Sequence, residues 1–235
     1  GLQNFSERSG FIIFFIAGMA EFGHAIDQFS DDFTKFFSNV FFGKIEGIDG
    51  LVNFEGESVK ELTDAFHEAV EENPIIAAVK NMDDLKICCS LEDIRVVFIL
   101  FGDVCSIREI VQQIKDSGKV AMVHVDLISG LSSKEIVVDF IRKNTEADGI
   151  ISTKAALIKR GKELKMFTVL RYFLLDSMAY ENIRQQQHAV KPDYIEVLPG
   201  VMPKVIGNIC KDLPVPVIAG GMIREKEDVM ALLKA

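Results

Sequence analysis

From about residue 74 onward, the chain alternates two hydrophobic patterns. Short apolar runs of strand-forming residues lie at 75–79, 96–100, 120–124, 149–151, 166–170, 194–197 and 215–219, with amphipathic stretches between them. Most of these runs are continuously apolar rather than alternating, as in parallel strands buried on both faces. The intervening pattern predicts helices over 107–117, 134–144, 155–164, 179–190, 202–211 and 225–234. Ser132 and Ser133 precede the second of these and Ser177 the fourth, in positions suited to caps. Seven βα units joined by right-handed crossovers predict an α/β fold, a TIM-type (β/α) barrel with its eighth unit missing. Either an N-terminal strand closes the ring, or the ring stays open, or the chain is an excerpt of a longer one. A doubly wound open sheet is the alternative, although no GxGxxG follows any strand.

The first 72 residues read differently and are expected to form a separate unit ahead of a barrel at 73–235. An apolar decapeptide at 11–20 is too short to span a bilayer and lacks the positive flank of a signal peptide, so it reads as a buried strand or short core helix. A cytoplasmic protein that does not enter the membrane is expected. Residues 40–48 predict a strand, Gly50 a turn and 51–54 a second strand. Ser58 then caps a helix over 59–71, with Glu61 completing a capping box. This ββα unit resembles the central part of HicB-type antitoxins, whose DNA-binding tail is absent here. The resemblance implies a packing or interaction module, with a small toxin as the partner its acidic surface would suit.

Composition and charge narrow the classes. A chain of 235 residues, 49% apolar and 26% charged, can bury a core without disulfides or metal and is neither disordered nor collagen-like. Cys88, Cys89, Cys105 and Cys210 form no CxxC pair and read as reduced core residues. The net charge of −9 argues against a generally basic nucleic-acid clamp. Residues 1–73 hold four basic and fourteen acidic residues, a net of −10, whereas the remainder holds 22 and 21 and is nearly neutral.

In a barrel, functional groups sit at the C-terminal ends of the strands and in the loops that follow. In chain order those ends offer Lys80 and Asn81, Gly102 and Asp103, His124 with Asp126 and Gly130, and Ser152 with Thr153 and Lys154. Arg171 with Asp176, then Glu196 with Pro199 and Gly200, then Gly220 with Gly221, complete the set. The cations Lys80, Lys154 and Arg171 suit an anionic ligand. Gly220-Gly221, ending a strand before a helix, suits a phosphate. His124 and Asp126 suit a polar ligand or a metal. Each has a plainer reading as well. His124 serves equally as a core histidine, and Asp126 and Asp176 as acceptors of loop N–H groups or partners of Arg171. Gly220-Gly221 serves as a bare turn, and Lys159, Arg160, Lys162 and Lys165 as a solvated helix face.

Several of these stretches carry a family resemblance. VHVDLISG at 123–130, DGIISTK at 148–154, RYFLLD at 171–176 and KPDYIEVLPG at 191–200 are similar to the glycerol-3-phosphate-responsive antiterminators of the glycerol uptake operon. PIIAAVKN at 74–81 and IAGGMIR at 218–224 fit the same family in the same order. The resemblance implies a TIM-type barrel in a bacterial regulator that senses glycerol 3-phosphate and acts on leader mRNA to prevent early termination. It puts the ligand at the barrel mouth: Lys154 and Arg171 supply charge, Gly220 and Gly221 backbone contacts to phosphate, and His124, Asp126 and Glu196 contacts to hydroxyls. Lys80, Ser152 and Gly200 stand at the same mouth. Lys159, Arg160, Lys162 and Lys165, with Arg184, are the candidate RNA contacts. The family's eighth strand is lacking, and N-terminal strands such as 40–48 are expected to patch the gap. No cofactor or metal is expected, and a homo-oligomer is allowed. The alternative is a barrel enzyme acting on a phosphorylated small molecule or phosphodiester, with His124, Asp126 and Glu196 as acid–base groups.

Overall fold

A computed structural model of the chain describes residues 11–15, 66–70, 73–223 and 226–235. The two strands expected at 40–48 and 51–54, and most of the helix expected at 59–71, lie outside the described residues. Only its last part, 66–70, is described, and it is helical.

Eight parallel strands form a closed barrel in simple sequential order. They are β1 (Phe11–Phe15), β2 (Ile75–Val79), β3 (Val96–Ile99), β4 (Val120–His124), β5 (Gly149–Ser152), β6 (Phe167–Phe173), β7 (Tyr194–Leu198) and β8 (Val217–Ala219). The seven expected βα units are all present, and the fold is a TIM-type barrel. β1 takes the eighth place in the ring. It pairs with β2 through Ile13 opposite Ile75, and with β8 through Phe11 opposite Val217. Closure therefore comes from the apolar decapeptide rather than from a strand after the last helix.

Seven helices follow β2 to β8. These are α1 (Met82–Ser90), α2 (Ile107–Asp116), α3 (Ile136–Asn144), α4 (Ala155–Glu163), α5 (Ser177–Val190), α6 (Pro203–Asp212) and α7 (Lys226–Leu233). The apolar spacing did not reveal α1, because its MDDLKICCS run carries a weak stripe and buries Asp84 beside Leu85 and Cys88. Its start is nevertheless written in the chain: the Asn81 side chain accepts from the Asp83 and Asp84 N–H groups. Ser177 is not the cap of α5 but its first residue; the Asp176 carboxylate caps it, accepting from the Ala179 N–H.

The barrel interior is filled by alternate residues of β2 to β8, among them Ile76, Ala78, Phe98, Met122, Ile151 and Ile218. The other set packs outward against the helices, with Ile99, Val123, Ile150 and Leu170 in one cluster and Ile195, Val197 and Ala219 in another. At the N-terminal end the helical stretch 66–70 enters the interior. Phe66 stacks on Phe167 with ring centroids 4.2 Å apart, and Val70 joins the same cluster. His67 lies beside them, its Nδ1 2.6 Å from the Tyr194 hydroxyl. This stretch, expected to belong to the separate front unit, thus packs as the floor of the barrel.

The four cysteines are free. Burial pushes the Cys88 and Cys210 thiols up to about 12. Cys105 departs from the expected core role, for it sits exposed in the loop after β3.

Candidate functional site

Continuing the inward alternation to the strand ends places His124, Arg171 and Glu196 inside the barrel near its C-terminal mouth. Arg171 and Glu196 are register partners on β6 and β7, so their side chains rise together. The Arg171 Nε donates to Glu196 Oε2 at 2.5 Å and Nη2 donates to Oε1 at 3.1 Å. Glu196 is 0% exposed and Arg171 6%, so this fork-on-carboxylate pair is dry. Burial raises the Glu196 carboxyl above its ordinary value, and the adjacent guanidinium opposes the rise. Arg171 thus pairs with Glu196, not with Asp126 or Asp176.

His124, 2% exposed, ends β4 on the same inner surface. Burial, reinforced by the Arg171 charge, lowers its pKa to about 3, so the imidazole is neutral at physiological pH. Its Nδ1 is buried and has no hydrogen-bond partner among the described residues. The closest carboxylate oxygen, Asp126 Oδ2, is 4.0 Å away. A satisfied core histidine would have that nitrogen paired.

Asp126, in the short 3₁₀ turn Val125–Leu127, gathers the loop after β5. Its Oδ2 accepts from the Ser152 hydroxyl at 2.8 Å and from the Thr153 N–H at 2.8 Å. Its Oδ1 accepts from Lys154 Nζ at 2.9 Å. Burial works against the Asp126 carboxylate, but the hydrogen bonds from Lys154, Thr153 and Ser152 outweigh it and hold its pKa below the ordinary value. Lys154 also donates to the Ser133 hydroxyl at 2.9 Å. Ser133 was expected only as a possible cap, and strand-end reasoning missed it because it lies well past β4 in the chain. Lys154 keeps a good part of its side chain in solvent.

The loops after β7 and β8 meet on the other side of the mouth. The Gly200 N–H donates to the Gly221 carbonyl at 3.0 Å. A Cβ on Gly200 would lie 3.0 Å from the Gly220 nitrogen, so only glycine lets the two backbones come this close. Gly221 and Met222 both hold left-handed φ, at 75° and 64°. For Met222 that conformation is strained, by about 1 kcal/mol or more.

The mouth therefore brings together Asp126, Ser152, Thr153 and Lys154 as one network, Arg171 and Glu196 as a pair beside His124, and Gly200, Gly220 and Gly221 as a backbone turn. Lys80 follows β2 and is exposed, and among the described residues no ion pair ties it to the others. Nor do three His, Cys, Asp or Glu side chains gather as metal ligands among the described residues. The basic cluster on α4 is only partly solvated. Arg160 is held by Asp139 and Glu163, and Lys162 by Asp193, while Lys159 and Lys165 remain exposed.

Comparison with known proteins matches residues 75–235 to the family described as glycerol-3-phosphate responsive antiterminator. The chain is 42% identical over 166 residues to the uncharacterized protein YgcP of Escherichia coli (strain K12), covering 71% of this chain and 86% of that protein. Among solved structures, the glycerol uptake operon antiterminator regulatory protein of Listeria monocytogenes superposes with a TM-score of 0.65 at 33% identity, covering 68% of this chain and 85% of that one. A glycerol uptake operon antiterminator-related protein of Thermotoga maritima gives a TM-score of 0.61 at 33% identity, covering 68% and 88%. The matched family and the two solved structures carry antiterminator descriptions, a regulatory class rather than enzymes, which sets the enzymatic alternative aside. With the motifs, the barrel and the match over 75–235 in agreement, the chain belongs to the glycerol-3-phosphate responsive antiterminator family.

Proposed function

We propose that this protein is a cytoplasmic regulator of glycerol utilisation that binds glycerol 3-phosphate at the barrel mouth and, with the ligand in place, binds leader mRNA and prevents early termination. The observation that carries the ligand site is His124: a neutral imidazole with an unpartnered, buried Nδ1, set beside the dry Arg171–Glu196 pair. A buried polar atom without a partner costs about 1–3 kcal/mol, a cost that a ligand hydroxyl at this position would relieve.

In this reading His124, Asp126 and Glu196 address the ligand's hydroxyls, with Ser152 keeping Asp126 in place. Lys154 and Arg171 supply positive charge. The Gly200 and Gly220 N–H groups are held by the Gly221 and Val197 carbonyls, so the turn addresses the phosphate through the Gly221 N–H, in the position after the last strands where barrels commonly hold one. Lys80 is a further cation at the rim. Because Lys154 pairs with Asp126, and Arg171 with Glu196, these two cations reach the ligand as charged hydrogen-bond donors rather than as net charge. Lys159 and Lys165 are the cations of the α4 cluster left for RNA, so the RNA footprint draws on them more than on Arg160 or Lys162.

The test is transcription in vitro through a glycerol-operon leader carrying its terminator, with and without glycerol 3-phosphate. The expected result is read-through that needs both protein and ligand, with a matching ligand-dependent shift of the leader RNA. Termination indifferent to the protein, together with no RNA shift, would refute the reading.

A further inference from the structure

The end of β6, the start of α5 and the loops after β6, β7 and β8 leave large apolar side chains in solvent. Leu175 is 85% exposed, Met178 74%, Met222 67% and Phe173 54%; Val201 adds a smaller surface. Soluble proteins scatter such residues singly, and several together on one face mark an interaction site. Beside them runs a groove of about 670 Å³ between α5 and the start of α6, its walls formed by Leu174, Leu175, Met178, Tyr180, Met202 and Val205.

The rim of this groove carries both signs of charge. Asp176 and Glu181 line the α5 wall, and Lys204 stands exposed in the first turn of α6. Among the described residues Lys204 has no ion-pair partner, and Glu181 reaches only Arg184, at 3.8 Å. An apolar surface edged by an acidic wall and a basic one is complementary to itself under two-fold rotation, the requirement of an isologous contact. The two carboxylates on the α5 wall disfavour a nucleic-acid phosphate backbone in the same place.

We propose that this face is where a second copy of the chain docks. Leu175 and Met178 of each copy enter the other's groove, and Glu181 meets Lys204 of the partner subunit. The inference is independent of the ligand reading, since it uses none of the buried mouth residues.

Sedimentation velocity on the full chain, over a series of micromolar concentrations, tests it. The expected parent is a dimer. Leu175→Glu combined with Met178→Glu is expected to sediment as a monomer; both positions are exposed, and an unchanged thermal melt shows that the fold is kept. Glu181→Lys alone is expected to weaken the dimer, and adding Lys204→Glu to restore it. A parent that stays monomeric throughout, or a dimer undiminished in the Leu175/Met178 variant, overturns the proposal. A dimer indifferent to both charge reversals overturns the pairing of the two walls.

Discussion

The two ends of the barrel use the same residue types for opposite ends. At the floor, Asp148 and Asp193 each precede a strand and clamp the neighbouring one. Asp148 accepts from the Ala121 N–H and from Lys115 at 2.8 Å, and Asp193 accepts from the Thr168 N–H and from Lys162. Both carboxylates are thus consumed by backbone and by a lysine of the helix that leads into the clamped strand, Lys115 of α2 and Lys162 of α4. Phe66, Phe167 and Tyr194 close the space behind them with aromatic packing. At the mouth, Asp126 and Glu196 also have basic partners, but they stand beside an imidazole nitrogen that no described residue satisfies. The floor's two carboxylates are fully engaged, whereas the mouth holds its polar groups in place around an open requirement. This is the division of labour expected of barrels, with stability at one end and binding at the other.

The comparison yields expected outcomes of graded size. The largest comes from Glu196→Ala, which strands the Arg171 guanidinium in a dry interior and is expected to cost about 3–5 kcal/mol in chemical denaturation, with loss of ligand binding. Phe66→Ala removes a fully buried ring from the floor; about 3–4 kcal/mol of stability is expected to go while affinity for ligand stays as in the parent. A floor variant that abolished binding without unfolding the chain would break the distinction.

Acid is expected to act through His124. Folded, the imidazole stays neutral down to about pH 3, whereas in the unfolded chain it takes up a proton near its ordinary value of 6.5. The unfolded state therefore binds more protons below pH 6.5, and stability falls as pH drops from there towards 3. Between pH 7 and pH 5 the loss is about 2 kcal/mol. Denaturation curves at both values check this, and His124→Gln is expected to remove most of the difference. Asp126 beside the ring is held below its ordinary value and keeps its charge over that interval.

Lys154→Ala is expected to weaken glycerol 3-phosphate binding by about 1.5–3 kcal/mol, the value of a charge-assisted hydrogen bond, with little change in melting temperature. The smallest effect belongs to Lys162→Ala. Its ion pair with Asp193 is partly solvated, and removing it is expected to cost less than about 1 kcal/mol and to leave ligand binding unchanged.

Much of the barrel was legible because buried parallel strands write themselves as continuous apolar runs. All seven runs after residue 74 became strands, and the strand ends led directly to His124, Arg171 and Glu196. Other parts were hidden for physical reasons. The weak stripe of α1 gives no helical period, and only the Asn81 cap marks it. β1 is an apolar run far from the strands it joins, so its place in the ring depends on long-range pairing that no local pattern carries. The pairing of charges was equally non-local. Arg171 meets Glu196, and Arg160 meets Asp139, through neighbouring strands and helices rather than through spacing along the chain. That is why the sequence offers Arg171 only Asp126 or Asp176 as partners and Lys154 none, whereas the fold pairs them with Glu196 and Asp126.

Calorimetric titration of the purified chain with glycerol 3-phosphate tests the central claim most directly, with glycerol and inorganic phosphate as controls and Lys154→Ala alongside. The account predicts saturable binding selective for glycerol 3-phosphate, weakened in the variant. Absence of binding, or binding of phosphate alone with equal strength, would contradict it.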